Sequence, residues 1–534
     1  MANNQGVEIG ESSVKAEMKE PLLQRIYIKD DDSKFQIKSN RNGLLKVVFL
    51  SSFIAVLGSY EFGSCMGYSA PVQSAISKDL DLSVAEFSAF GSILNVGSMN
   101  GAITSGRIAD FTGRKWTMRI SSVFSIAGWI AIYFSKGPLL LDIGRFLSAY
   151  GIGIFAFVVP IYVAEIAPKD LRGGLATLNQ LMIVVGASVA FLAGTALTWR
   201  LLALTGIIPC LVQLVGLIFI PESPRRLAKA GYQKEFCNAL RRLYGDDADI
   251  SHEAAEIQDY LQTLNQQPKA SMLDLFQRKY MHSVIIGVGL MMFQQFGGVN
   301  GIGFYASETF TSAGFSSGKI GIIAFACIQI PITAVGAFLV DNCGRKPLLL
   351  VSSTGTFLGC FLAATSFLMK EHNLFQELIP LLVLCGMLIF MGSFAIGMGA
   401  VPWVLMSEIF PINVKGAAGS LVNLVHWFGA WAVSYTFNFL MDWSPSVDFF
   451  PGTFFLCSGV CAASVLFVAK IVPETKGRTM EEIQTSMNAR RNLVDSDVYL
   501  TNSVLLQLCF LALIYKFQLH IKVMTSNIIF PFFF

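Results

Sequence analysis

Among the side-chain amides inside the long apolar runs of this 534-residue sequence, Gln180, Gln294, Gln295, Asn300 and Gln329 stand out. An amide both donates and accepts, and an unsatisfied polar group in hydrocarbon is costly. Several amides converging on one cavity therefore suit a neutral ligand rich in hydroxyl groups, whereas a charged ligand would call for a fixed counter-charge. The rings of Phe304, Tyr305, Phe394, Trp403 and Trp427 lie mostly in the same runs, where the apolar face of such a ligand can stack. Interhelical hydrogen bonding accounts as well for an isolated amide, and packing for a ring. Gln294 and Gln295, with Asn300 following in a glycine-rich stretch, favour a binding site.

A second chemistry is ionic and occurs twice. Asp110-Phe111-Thr112-Gly113-Arg114-Lys115 recurs as Asp341-Asn342-Cys343-Gly344-Arg345-Lys346. Glu165-Ile166-Ala167-Pro168, then Leu171-Arg172-Gly173, recurs as Glu408-Ile409-Phe410-Pro411, then Val414-Lys415-Gly416. Pro221-Glu222-Ser223-Pro224-Arg225 has its counterpart in Pro473-Glu474-Thr475-Lys476-Gly477-Arg478. Motifs in register mark an internal repeat. The carboxylates Asp110, Glu165, Glu222, Asp341, Glu408 and Glu474 stand near the cations Arg107, Arg114, Arg172, Arg345, Lys415 and Arg478. Ion pairs bridging the two repeats at one face would hold one conformation closed and break in the other, the two-state element alternating access needs. These residues are expected to form a gating latch; solvated anchoring at helix ends is the plainer use of any one of them.

The elements that position these groups follow from hydropathy. Only 14% of the residues are charged and 53% are hydrophobic, against about 25% charged in an ordinary soluble protein. The charges gather in 1–43, 221–280 and 473–497. What remains divides into twelve apolar runs, near 44–68, 84–106, 116–135, 138–163, 174–196 and 200–220, then 281–307, 318–340, 347–369, 379–405, 416–441 and 450–472. Such runs have the length of a bilayer span, and the expected fold class is an all-α membrane protein. The layout is six spans over 44–220, a polar segment over 221–280, and six spans over 281–472. Arg107, Arg114, Lys115, Lys169, Arg172, Arg345, Lys346 and Lys415 fall on one side, which places that side, both termini and the central segment in the cytosol.

Residues 1–43 lack the leading apolar region of a cleaved signal peptide and are expected to form a disordered cytosolic tail. Within it, Glu20-Pro21-Leu22-Leu23 is similar to acidic dileucine signals, which would give a sorting adaptor a contact at Leu22 and Leu23; plain tail is the alternative. A net charge of +3 without a basic stripe excludes a nucleic-acid partner. The ten cysteines lack zinc-type or CxxC spacing and read mostly as small buried hydrophobes. His252, His282, His372, His426 and His520 form no HExxH or paired cluster, and no nucleophile elbow or P-loop is present. No metal, no cofactor and no enzymatic activity is expected.

These motifs resemble the sugar-porter branch of the major facilitator superfamily over about residues 44–485. The resemblance rests on GRIADFTGRK (106–115), PIYVAEIAPKDLRG (160–173), PESPR (221–225), QQFGGVNGIGFY (294–305), VPWVLMSEIFP (401–411) and PETKGRT (473–479). Phe62-Gly63 followed by Gly67-Tyr68-Ser69-Ala70-Pro71 is similar to the plant early-responsive-to-dehydration type of monosaccharide transporter and its animal lysosomal-type relatives. The resemblance implies twelve helices in two pseudo-symmetric six-helix bundles, a helical cytosolic linker over 221–280, a cytosolic tail from 473 and a central hexose site. It carries sugar contacts to Gln180, Gln294, Gln295, Asn300, Gln329 and Trp403, with Phe394 and Trp427 lining the pocket. The family's Glu two residues before the Gly matched by Gly397 is here Ala395, its Asn before the matched Trp427 is His426, and the segment 397–402 keeps one proline. The pocket is thus expected to be less polar than the family's.

Proton-coupled members carry Asp two residues after the Phe-Gly, linked to an Arg that corresponds to Arg145; here the carboxylate position is Cys65. A thiol is a poor substitute near neutral pH. Glu61, one turn earlier on the same face, could serve as the proton site or could line the extracellular end. The expected function is transport of neutral monosaccharides, hexoses such as glucose, by facilitated diffusion in preference to proton symport, across a vacuolar or plasma membrane. A non-transporting sugar sensor is the reading from another class. The end departs from the family: an apolar stretch from Val504 to Phe517 and a terminal Ile528-Ile529-Phe530-Pro531-Phe532-Phe533-Phe534 suit an interfacial segment better than a further span.

Overall fold

The computed structural model describes residues 37–168, 172–245, 250–266, 272–277, 279–442, 450–477 and 482–483. The tail with Leu22 and Leu23, Arg478 and the apolar end from Val504 lie outside the described residues, as do the side chains of Arg172 and Asp341.

In the first half, α1 (Ile37–Gly67) continues as α2 (Ser69–Asp79), followed by α3 (Val84–Thr112), α4 (Arg114–Tyr133), α5 (Pro138–Ile166), α6 (Arg172–Ala196) and α7 (Trp199–Phe219). Three shorter helices, α8 (Pro224–Lys229), α9 (Gln233–Tyr244) and α10 (Ser251–Gln266), join the halves. In the second half, α11 (Met281–Phe296) continues as α12 (Val299–Phe304) and α13 (Ala306–Ser312), followed by α14 (Lys319–Cys343) and α15 (Arg345–Glu371). Then α16 (Ile379–Ser393) passes through a π-helical turn over Phe394–Met398 into α17 (Val401–Ile409), and α18 (Ile412–Asp442) and α19 (Phe450–Lys470) end the bundle.

Among the described residues nine helices are long and apolar enough to cross a membrane by length and composition. The others of that length, α3, α4 and α18, carry buried polar side chains. Ser92, Asn95, Ser98 and Ser105 of α3 and Ser121, Ser122 and Ser125 of α4 are buried, and α3 packs on α5 and, across the halves, on α18. A segment flanked by helices can satisfy hydroxyls that lipid would leave unpaired. Ser121 Oγ, for example, donates to Gly151 O of α5 at 2.5 Å.

Local chemistry sets the helix ends. Ser83 and Glu86 form a capping box at the start of α3: Glu86 N donates to Ser83 Oγ at 3.3 Å and Ser83 N donates to Glu86 Oε2 at 2.8 Å. At the other end α3 runs on past residue 106, through Arg107 and Asp110, until Gly113 adopts a φ of +94°. Likewise α1 begins at Ile37, ahead of the apolar run that starts at 44.

The halves meet at the end opposite the charged motifs. Gln73 of α2 donates to Glu308 of α13, Lys319 Nζ at the start of α14 donates to Thr195 O of α6 at 2.8 Å, and Asn95 Nδ2 donates to Ser434 Oγ of α18 at 2.8 Å. Phe87 of α3 and Tyr305 add a ring contact at 6.3 Å.

Candidate functional site

Two helix interruptions bring the second half's amides together. Gln294 and Gln295 end α11, where Gly297 and Gly298 break the helix; Gly298 has a φ of +95°, and a Cβ there would stand 2.7 Å from Cys457 Sγ. The chain resumes in α12 with Asn300 in its first turn. Beside this break lies the π-helical turn, stitched to α15 by Ser352, whose Oγ donates to Ser393 O at 2.6 Å and accepts from Met398 N at 2.8 Å. A π-turn displaces carbonyls from the α-helical ladder, and two of them face α11: Gln294 Nε2 donates to Met398 O at 2.6 Å and more weakly to Gly399 O at 3.4 Å.

With Gln294 so fixed, its Oε1 accepts from Gln295 Nε2 at 3.1 Å, and Gln295 Oε1 accepts from Asn300 Nδ2 at 2.6 Å. His426 of α18 completes the cluster: its Nδ1 lies 2.9 Å from Gln295 Nε2 and 3.1 Å from Gln294 Oε1. The imidazole is set edge-on to Trp403 at 5.0 Å and to Trp427 at 5.1 Å, and Phe62 of α1 reaches Trp427 at 6.2 Å from the other half. The cluster thus carries no fixed charge among these amides and sits where the halves face each other.

The structure therefore brings together Gln294, Gln295, Asn300, Trp403 and Trp427 of the expected set. Phe394 lies half-buried in the π-turn. Gln329 is buried on α14, and Gln180 is half-buried on α6; neither has a hydrogen-bond partner among the described residues. His426 stood out in the sequence as a departure from the family, yet its place at the centre of the cluster was not legible there; nor was the brace of Ser352. A cavity of about 500 Å³ lies instead within the first half, among α1, α6 and α7, with Tyr60, Ser64, Trp129 and Pro209 in its wall, apart from the amides.

The charged end is built twice. Arg114 Nε and Nη2 donate to Glu165 Oε2 and Oε1 at 2.9 and 2.8 Å, and Arg345 Nε and Nη2 donate to Glu408 Oε1 at 3.2 and 2.8 Å. Asp110 meets Arg114 at 3.6 Å and Lys229 at 2.9 Å. Glu222 acts on backbone instead of a cation: it accepts from Arg114 N at 3.0 Å and Lys115 N at 3.2 Å. Glu474 does the same for Arg345 N and Lys346 N, both at 3.1 Å. The first N–H groups of α4 and α15 have no intrahelical acceptor, so a carboxylate from the segment after α7 or α19 fills the vacancy. Glu474 lies outside the spans; burial raises its carboxyl, but the backbone N–H groups of Lys476, Arg345, Lys346 and Thr475 outweigh this and hold it below its usual value.

The other charges of the expected set lie as follows. The ion pairs between described side chains lie within one half or, for Asp110–Lys229, between the first half and α8, and none of them joins the two halves. Arg107 is exposed without an ion pair among the described residues, and Lys415 donates to Ser407 O at 2.9 Å rather than to a carboxylate. Glu61 and Arg145 do not engage each other. Glu61 Oε1 accepts from Trp129 Nε1 at 2.5 Å, whereas Arg145 donates to Ser69 Oγ at 2.6 Å and Cys65 Sγ at 3.6 Å and lies over the rings of Tyr68 and Phe90. Nor does Glu61 line an outer end, being fully buried.

The family described as Sugar (and other) transporter matches residues 47–487. The chain belongs to this family. It is 60% identical over 479 residues to the Sugar transporter ERD6-like 16 of Arabidopsis thaliana, covering 90% of this chain and 97% of that one. It is 58% identical over 442 residues to ERD6-like 7 of the same plant, covering 83% and 94%. Among solved structures it is similar to the Escherichia coli xylose transporter XylE in a partially occluded inward open conformation, with a TM-score of 0.69, 25% identity and coverage of 81% of this chain and all of that one. It is also similar to the proton:xylose symporter XylE bound to 6-bromo-6-deoxy-D-glucose, with a TM-score of 0.67, 25% identity and coverage of 83% and 99%. This sugar transporter is a multi-pass integral membrane protein with the major facilitator fold, and it is not an enzyme.

Proposed function

We propose that this transporter carries neutral monosaccharides, hexoses such as glucose, by facilitated diffusion through alternating access, with the charged end and both termini in the cytosol of a vacuolar or plasma membrane. The observation that carries the reading is the uncharged cluster of Gln294, Gln295 and Asn300, joined through His426 to the rings of Trp403 and Trp427. Amides meet hydroxyl groups as both donor and acceptor, and indole faces take the apolar side of a pyranose. Gln180 and Gln329 supply further amides from α6 and α14. Contact between the halves at the end opposite the charged motifs, through Gln73–Glu308 and Lys319–Thr195, supports a rocking motion that opens that end.

Uniport is favoured by the surroundings of Arg145, whose guanidinium finds a thiol, a hydroxyl and two rings instead of a carboxylate. A second reading, proton symport, draws on Glu61, whose Oε2 is buried without a hydrogen-bond partner, and on the description of XylE as a proton:xylose symporter. Uptake of labelled glucose by the purified protein in liposomes, with and without an imposed pH gradient, separates the readings. Saturable uptake indifferent to the gradient fits a facilitator, and gradient-driven accumulation would make it a symporter. Uptake of no sugar at all would favour a sensor.

A further inference from the structure

Most of the hydrogen bonds of the amides are made to protein groups. Gln294 Nε2 is held by Met398 O and Gly399 O, and Gln295 Oε1 by Asn300. Apart from Asn300 Oδ1, the amide atoms left to face a ligand are Gln294 Oε1, an acceptor, and Gln295 Nε2, a donor, which also bond each other at 3.1 Å. Both are met by one atom, His426 Nδ1, at 3.1 and 2.9 Å. If the proton is on Nδ1, it donates to Gln294 Oε1; if it is on Nε2, Nδ1 accepts from Gln295 Nε2. In either tautomer the imidazole satisfies one of the amide atoms and stands within contact distance of the other. Trp403 and Trp427, each about one ring-contact away on either side at 5.0 and 5.1 Å, keep the ring there.

We propose that His426 is an internal competitor for the sugar, standing at the hydrogen-bonding positions that Gln294 Oε1 and Gln295 Nε2 offer and thereby weakening substrate affinity. This rests on the sugar-binding reading of the amide cluster. The physical argument is one of reference state. Gln294 Oε1 and Gln295 Nε2 bond each other, but each keeps a second hydrogen-bonding position, and a ligand that fills a buried position otherwise left unpaired recovers its desolvation cost. Where a side chain fills that position beforehand, the ligand gains only the difference between its own bonds and those of the imidazole. His426 is therefore a positioning residue acting through the amides, and removing its nitrogens should tighten sugar binding, the reverse of what loss of a sugar ligand would do.

The variant that tests this is His426→Phe, which keeps a ring between the two indoles and deletes both nitrogens. Glucose uptake into liposomes and, independently, calorimetric titration of the detergent-purified protein with glucose are measured for wild type, His426→Phe and Gln294→Ala. KM and Kd of His426→Phe are expected to fall by about three- to tenfold, the equivalent of one net hydrogen bond. A merely structural part for the ring would lower the maximal rate and leave KM unchanged or raise it. If wild type binds and carries glucose but His426→Phe shows an unchanged or higher KM and Kd, the competitor role is overturned while the sugar site stands. If Gln294→Ala keeps wild-type affinity, or wild type binds no sugar, the reading of the site itself fails and the inference with it.

Discussion

Arg114 meets Glu165 with two parallel bonds, one to each carboxylate oxygen, whereas Arg345 crowds both of its bonds onto a single oxygen of Glu408. The difference has a cause one motif away. Thr475 Oγ1 donates to Glu408 Oε2 at 2.6 Å and takes that oxygen out of reach. Its counterpart Ser223 turns to its own helix, accepting from Arg226 N at 3.3 Å as the cap of α8. Pseudo-symmetric sequences thus give the two halves ties of unequal form.

A double-mutant cycle should register this inequality. With both side chains only 11% exposed, removing one partner of Arg114–Glu165 is expected to cost about 3 kcal/mol, because the other charge is left poorly solvated. The coupling between Arg114→Ala and Glu165→Ala should exceed that between Arg345→Ala and Glu408→Ala by about 1 kcal/mol, read from chemical denaturation in detergent. Equal coupling would remove the significance of the bidentate form.

Acid should loosen the second half at Glu474. Its carboxyl is held below the usual range by the N–H groups at the start of α15 and in its own turn. A depressed folded-state value contributes stability above the ordinary carboxylate pKa, about 4.3, and loses it as pH falls through the folded value. Melting temperature should therefore stay level in this respect from pH 7 to 5 and drop below about pH 4.5. Glu474→Gln should be less stable at pH 7 and show a shallower acid limb; an identical limb in both proteins would refute the assignment.

Much of this architecture was legible in the residues themselves, and what was not has a physical reason. Runs of apolar residues located the spans, and polar residues inside them located Gln294, Gln295 and Asn300, because an amide in hydrocarbon must have a partner. The same logic named Gln180 and Gln329, but hydropathy carries no information on which face of a helix turns toward which neighbour, and these two make no hydrogen bond to the cluster among the described residues. Charge motifs announced pairing without direction: Glu222 and Glu474 look like partners for cations, whereas their work is on the free N–H groups that follow Gly113 and Gly344. The π-turn and the Ser352 brace depend on register between α15 and α16, which no local pattern encodes.

Gln294→Ala should abolish glucose uptake while leaving insertion and folding intact. The side chain holds the carbonyls of Met398 and Gly399 and presents Oε1 to the site, so its loss removes a ligand group and frees the broken helix together. Normal gel-filtration behaviour with uptake below a tenth of wild type is the expected pair of results, on the scale of one to two lost hydrogen bonds. Uptake at the wild-type rate would exclude this cluster as the site.

Cys65→Asp should make transport depend on pH. Cys65 Sγ lies 3.6 Å from Arg145 Nη1 in a fully buried setting, so a carboxyl there would face a guanidinium that has no acid partner. An ion pair formed at this distance gives the first half a proton-dependent contact between α1 and α5. Initial rates of glucose uptake for the variant should vary with pH between 5 and 8, whereas those of wild type should be flat; two flat profiles would show that Arg145 is insulated from coupling.

Glycines in the repeated motifs should prove unequal in importance. Gly344 has a φ of +89°, and a Cβ on it would stand 2.8 Å from Glu474 Oε2; Gly113, at +94°, stands in the same relation to Glu222. Alanine at either position meets a disfavoured backbone conformation and pushes away the carboxylate that caps the next helix, at a cost of about 1–3 kcal/mol. Gly416 belongs to an equally repeated motif, yet nothing lies within 4 Å of the Cβ it would carry, and it sits in the first turns of α18. Gly416→Ala should therefore be neutral or stabilising by up to about 1 kcal/mol through helix propensity. Thermal melts of the three variants, compared at one pH, test whether the carboxylate cap explains the motif; equal destabilisation in all three would mean that it does not.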